Sequence, residues 1–363
     1  MSTHTEIPFT AYRLSKPNPE DKFISIGECP TTKKEITICY QTHGDPSHPA
    51  IVLIAGLGAT LYIYRQEFVD LLVKRGFYVV RYDNRDSGCS THLDGFPTVA
   101  LPRMILPEWA SLGEGAPPYR LEDMANDGLK LIDRLGLTKG GKKVHIFGGS
   151  MGGMIVQLMA IQSPQTIASL NILYSHSGGP AVVPQTMQMS LSFLDKPASK
   201  NESDILDFKV RTSARFAGDY PVKEEEVRER AKMLLVRCPD DTAAFTRQIW
   251  AIQRAASRVA ALQALNPDPT LPNSAAKPVL PVTIIHGMED TTIPHENGVQ
   301  LAKLIHHSKL VSFARMGHSI PEPLMAPIAD ELALHIQKRK KKKMLFSLFF
   351  VFLTCVKSSS CAF

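Results

Sequence analysis

Between Val144 and Gly153 an apolar run, Val144-His145-Ile146-Phe147, meets the pentapeptide Gly148-Gly149-Ser150-Met151-Gly152. Met151, Met154, Ile155, Leu158 and Met159 then recur at helical spacing until Pro164. This order dictates a strand, a sharp turn and a helix. Glycines 148 and 152 remove the side chains that would collide where a strand reverses directly into a helix, so a strained serine can lift its hydroxyl above a sheet. Ser150 would stand at the helix N-terminus, where backbone N–H groups face developing negative charge. A Gly-rich turn before a helix can also hold a phosphate. A serine is inert as a nucleophile without a base, an orienting acid and an oxyanion site, so the rest of the chain must supply these for the first reading to stand.

The flanking sequence predicts strands alternating with helices. Phe23 to Ile26 and Glu35 to Gln41 suit an early antiparallel hairpin. Ile51 to Ala55 is a continuous apolar run of the kind a strand buried on both faces requires, and it ends in Gly56-Leu57-Gly58. Helices are expected over Tyr64 to Arg75 and Leu121 to Leu135, with strands over Phe77 to Tyr82 and Ile167 to Tyr174. From residue 178 to 276 the alternation gives way to helical patterns at 183–194, 203–216, 222–236 and 241–265, which predict a helical lid. Met187, Met189, Phe193 and Trp250 there are candidates to line a substrate pocket, although side chains at helical spacing equally serve as lid core. The alternation resumes at Pro281 to Gly287, with a helix near 296–304, a strand at 310–314 and a closing helix at 325–336. The fold class is therefore α/β, a mostly parallel sheet flanked by helices. The expected divisions are an N-terminal extension (1–20), a core in two parts (21–177 and 277–337), the lid (178–276) and a tail (338–363).

Three positions can complete the serine's machinery. Asp290 lies four residues past the apolar strand ending at His286, where a loop leaving the sheet's C-terminal edge can bring a carboxylate to the site. Glu289 is the weaker neighbour, and a turn aspartate capping the next helix is the plainer role. Of twelve histidines, His318 is the one placed in a loop directly after the last strand, following Gly317. His286 ends a strand and is expected to pack beside the site, while His306, His307 and His335 fall on helices or their ends. The order serine, acid, histidine is that of a nucleophile-elbow hydrolase. The oxyanion donors would be the backbone N–H groups of Met151 and of Leu57, between two glycines.

With these residues in place, the chain resembles the serine hydrolases of the α/β-hydrolase fold. The combination of Gly56-Leu57-Gly58-Ala59, Arg81-Tyr82-Asp83-Asn84-Arg85-Asp86-Ser87-Gly88 and Gly149-Ser150-Met151-Gly152-Gly153 is similar to that of the aclacinomycin methylesterase-like esterases, over residues 21 to 337. The resemblance implies a small-molecule ester substrate, no metal or organic cofactor, and a structural role for Asp83 and Arg85 in shaping the active-site loop. Ala55-Gly56 stands where many relatives have His-Gly; a main-chain donor needs no side chain there. A perhydrolase, haloperoxidase-like, thioesterase or lipase activity uses the same serine, and a non-catalytic binding module is a further alternative that has no need of all three triad residues.

Other function classes fit less well. Gly136 to Lys143 nearly spells a P-loop, but Lys143 replaces the magnesium-binding Ser or Thr, and the segment precedes a strand. In the dinucleotide fingerprint that Gly56-Leu57-Gly58 begins, Leu61 takes the third glycine's place. The formal net charge of +6 comes from a C-terminal tail with a cationic run at Lys338 to Lys343 and no acidic residue, so the rest is close to neutral and offers no basic face for nucleic acid. Residues 1–20 lack an apolar secretory core, and the six cysteines show neither paired nor metal-ligand spacing, which makes a cytoplasmic, reducing setting the expectation. In the tail, thirteen mostly apolar residues from Met344 to Val356 would reach only about 20 Å as a helix, short of the roughly 30 Å hydrocarbon core. Residues 338–356 could hold the enzyme on an anionic membrane surface; an appended extension outside the fold is the alternative.

Overall fold

The computed structural model describes residues 16–100, 115–238, 241–266 and 279–334. Eight strands form one sheet in the order β1-β2-β4-β3-β5-β6-β7-β8. They are β1 (Lys22–Glu28), β2 (Glu35–His43), β3 (Ala50–Ile54), β4 (Tyr78–Tyr82), β5 (Val144–Gly149), β6 (Ile167–Leu173), β7 (Val282–Gly287) and β8 (Ser308–Phe313). The expected hairpin is present as β1 and β2, and β2 joins β4 antiparallel; every later pairing is parallel. Every residue of β3, β5, β6 and β7 is buried, as their unbroken apolar runs require of strands covered on both faces.

Helices cover both faces. Among them are α1 (Gln66–Lys74), α2 (Leu121–Arg134) and α3 (Met151–Gln162). Ile146, Leu170 and Ile284 face a core shared with Met154, Ile155 and Met124. On the opposite face Leu53, Phe147 and Ile285 pack with Phe68, Leu72, Ile328 and Leu332.

Among the described residues, five helices lie between β6 and β7: α4 (Met187–Ser192), α5 (Glu202–Phe216), α6 (Glu224–Arg237), α7 (Thr242–Gln253) and α8 (Val259–Leu265). After β7 come α9 (His295–Leu304) and α10 (residues 322–334). Two expectations in the insert are corrected. The helix read from 183 begins only at Met187, because Val183 is tied through its N–H and its carbonyl to Asn297, and Thr186 caps the first turn by accepting from Met189 N–H. The single helix read over 241–265 breaks at 254–258, where Arg258 turns inward. Its N–H donates to the Ser177 carbonyl and its guanidinium to Gln157 Oε1 and the His176 carbonyl, fastening the break to α3 and the loop after β6. The tail expected at 338–363 and most of the N-terminal extension lie outside the described residues. Among those described, no helix is long and apolar enough to cross a membrane.

Candidate active site

Ser150 sits between β5 and α3 with φ 58° and ψ −122°, a conformation that costs a non-glycine residue on the order of 1–3 kcal/mol. Neighbouring backbone holds it there. Ser150 N–H donates to the Leu173 carbonyl, and its own carbonyl accepts from the Ser175 hydroxyl. A Cβ at Gly148 would come within 2.2 Å of the Gly152 carbonyl oxygen, and one at Gly152 within 2.1 Å of the Ile54 oxygen. The pentapeptide's outer glycines are therefore a steric demand of the turn. Tyr64, preceding α1, braces it from below: its hydroxyl donates to the Ile54 carbonyl and accepts from Gly149 N–H.

Asp290 and His318 leave adjacent strand ends, β7 and β8, and meet. His318 Nδ1 lies 2.7 Å from Asp290 Oδ2. A carboxylate can only accept, so Nδ1 carries the proton, and in the neutral form of the ring Nε2 is the acceptor. The other carboxylate oxygen accepts from Thr292 N–H and Ile293 N–H, each at 2.9 Å, so the turn role and the histidine contact fall to separate oxygens of one side chain. Asp290 is buried while Glu289 is exposed. The His318 ring packs on Tyr174 with centroids 4.4 Å apart, and Tyr174 lies against Gly149, where an added Cβ would meet its ring at 2.8 Å. Tyr174 thus borders both the imidazole and the residue before the serine. The Ser150 hydroxyl makes no hydrogen bond to His318 in this structure. From the insert, Phe216 lies 5.9 Å from the His318 ring, and Gly218 bridges to Met316, steadying the histidine loop.

On the opposite side of Ser150 is the loop after β3. A Cβ on Gly56 would lie 3.3 Å from Ser150 Cβ, so this backbone passes directly beside the serine. The loop is fastened at three points. Ala55 carbonyl accepts from Asn84 Nδ2, Gly58 N–H donates to Gln248 Oε1, and Leu61 N–H donates to Asp83 Oδ1. Leu57, between two of these points, is left with its N–H unengaged by the described residues, and Met151 opens α3 with a first-turn N–H.

The Asp83-Asn84-Arg85-Asp86 turn links this loop to the surrounding helices. Asp83 pairs with Arg237 of α6 and Arg85 with Asp127 of α2, while Asp86 receives two hydrogen bonds from Arg247 of α7, each 2.8 Å. All of these side chains are buried. Sequence reading singled out the turn but missed its partners, since nothing local marks Asp127, Arg237, Arg247 or Gln248 as reaching it.

The lid candidates are dispersed. Met187 is 74% exposed, Met189 and Trp250 are buried, and Phe193 stacks near Phe216 at 6.4 Å, one ring away from His318. His286 is buried with Nε2 donating to the Ile293 carbonyl at 2.8 Å; burial drives its pKa down to about 4, keeping it neutral. Among the described residues, Asp21, Cys39 and Cys89 bring metal-capable atoms within 4.8 Å of one another. The Arg237 guanidinium already bonds Asp21 and lies 3.3 Å from Cys39 Sγ, so a cation occupies that cluster as folded.

A model of the alpha/beta hydrolase fold matches residues 49–322. Rhodomycin D methylesterase DauP of Streptomyces sp. (strain C5) is 25% identical over 325 residues, covering 84% of this chain and 96% of its own. Rhodomycin D methylesterase DnrP of Streptomyces peucetius is likewise 25% identical, over 327 residues, with the same coverage. Among solved structures, a meta-cleavage product hydrolase from Pseudomonas fluorescens IP01 superposes with a TM-score of 0.62 at 18% identity, covering 89% of this chain and all of that one, a likeness of fold.

Proposed function

This chain belongs to the alpha/beta hydrolase fold family, and from that premise we propose that it cleaves carboxylic esters through an acyl-enzyme on Ser150. The observation that carries the reading is the 2.7 Å contact between Asp290 and His318 at the strand ends flanking a strained serine turn. His318 Nε2 takes the Ser150 proton as the serine oxygen attacks the ester carbonyl. The bond between them forms as substrate binds, since catalytic hydrogen bonds tighten in the bound complex. The N–H groups of Leu57 and Met151 receive the oxyanion, and Asp290 holds the imidazole's tautomer and stabilises its charged form. The alcohol leaves with the proton; water activated by His318 then releases the acid. Every group used belongs to the chain, so no cofactor enters the scheme.

Two relatives that match along nearly their whole length bear the name methylesterase, so methyl esters are the first class to assay. A fluorophosphonate should label Ser150, located by peptide mapping, and Ser150→Ala should lose both the label and more than about ten-thousandfold of kcat on a short p-nitrophenyl ester. Retained turnover in that variant would refute the assignment. Residues 178–276 are proposed to act as the lid over this site, with Phe193 the pocket-lining candidate nearest His318.

A further inference from the structure

Gly58 is gripped from the insert by two side chains of α7. Gln248 Oε1 accepts from its N–H at 2.8 Å, and the Phe245 ring stands where a Cβ would lie 2.6 Å away. Gly58 has φ +62°, so its backbone is committed to a conformation that few residues share. Gln248 is fully buried. Its amide nitrogen donates to the Arg85 carbonyl at 2.9 Å and the Ser87 hydroxyl at 2.8 Å, so a single carboxamide ties the loop after β3 to the loop after β4. Arg247, the preceding residue, locks the same helix to Asp86.

We propose that Gln248 is a positioning residue of the oxyanion hole, holding Gly58 so that the neighbouring Leu57 N–H points at the developing oxyanion beside Ser150. This rests on the esterase reading above for what Leu57 does; the clamp itself stands on the hydrogen bonds. The helical insert would then help set the geometry in which charge is stabilised, in addition to covering the site. A donor acts well only when it is oriented before charge develops. With Gln248 gone, Leu57 would have to be reoriented during the reaction, so the loss should fall on kcat with little effect on KM.

Gln248→Met keeps the side chain's length and removes both ends of the clamp. With p-nitrophenyl acetate, the variant should lose about ten- to a hundredfold in kcat, less than the roughly hundred- to thousandfold cost of deleting an oxyanion donor outright. KM should stay within about twofold. Fluorophosphonate labelling of Ser150 should slow in parallel, because the adduct's phosphoryl oxygen occupies the oxyanion position. A folded variant labelled at the wild-type rate would overturn the proposal. Should Gln248→Met fail to fold, amide exchange at Gly58 in the wild-type protein decides: slow exchange supports the clamp and exchange at the rate of an open loop refutes it. If wild-type protein takes no label at Ser150, the esterase reading fails, while Gly58 exchange still reports on the clamp.

Discussion

At the scale of single residues, the site turns on which atoms can donate. Asp290 Oδ1 is occupied by two backbone N–H groups, leaving Oδ2 for His318. In Asp290→Asn the amide oxygen stays with those donors, which need an acceptor, and the NH2 turns toward His318 Nδ1. That reverses the imidazole tautomer and places a proton on Nε2, the atom that in the proposed mechanism receives the serine proton. Turnover should fall by about four orders of magnitude with the fold intact, measured as kcat beside a circular dichroism melt. Gly152→Ala tests the turn instead. Its Cβ would meet the Ile54 and Ala55 carbonyl oxygens at 2.1 and 2.8 Å, and backbone cannot swing aside as a side chain can. A loss of at least about 1–3 kcal/mol in urea unfolding should accompany loss of Ser150 labelling. The strained turn at Ser150 was legible in the sequence because glycine spacing encodes steric demand. Choosing Asp290 over Glu289 was a weighing between neighbours, which burial separates. Tyr64 and Tyr174 left no trace in the sequence: each acts through a contact made across the fold.

At the scale of elements, strands β3, β5, β6 and β7 could be read because fully buried parallel strands are written as short apolar runs. The insert's helices were readable in number and broad position, except where a long-range hydrogen bond overrides local propensity, as Arg258 does between α7 and α8. What holds α7 to the core was not readable, for an arginine in a helical pattern is ordinarily solvated. Arg247 is instead buried against Asp86, with both nitrogen–oxygen distances at 2.8 Å. Asp86→Leu strands that guanidinium away from water and should cost about 3–5 kcal/mol, whereas the double variant with Arg247→Met, which removes both charges, should recover most of the loss. Urea unfolding of the two proteins gives the comparison. If the single variant is no less stable than the double, the pair is not what secures the helix. Limited proteolysis should cut the single variant between β6 and β7 sooner than wild type.

At the scale of the whole molecule, two neutral histidines near the site, His286 buried and His176 partly exposed, tie stability to pH. His286 donates from Nε2 to the Ile293 carbonyl, and its Nδ1, lying against Gly298, has no partner for a second proton. Burial lowers its pKa to about 4, outweighing the pull of Asp290. His176 is lowered to about 3 by burial, with Arg258 and His286 adding repulsion, and its Nδ1 already accepts from Gly178 N–H. Above the ordinary value of 6.5 neither the folded nor the unfolded chain protonates these rings. Below it the unfolded chain takes up protons that the folded one refuses, so stability falls with pH until about 4 for His286 and about 3 for His176. Between pH 6.5 and 4.5 each ring accounts for about 2–3 kcal/mol, a large share of a typical 5–15 kcal/mol. Asp83 and Asp127, whose pKa values burial raises, act in the opposite sense at the acid end of this range, so the bare wild-type slope mixes both effects. The histidine part is isolated by difference. His286→Gln, compared with wild type by urea unfolding at pH 7 and pH 4.5, should lose about 2–3 kcal/mol less stability over that interval. Parallel losses in the two proteins would show that protonation of this ring does not drive acid unfolding.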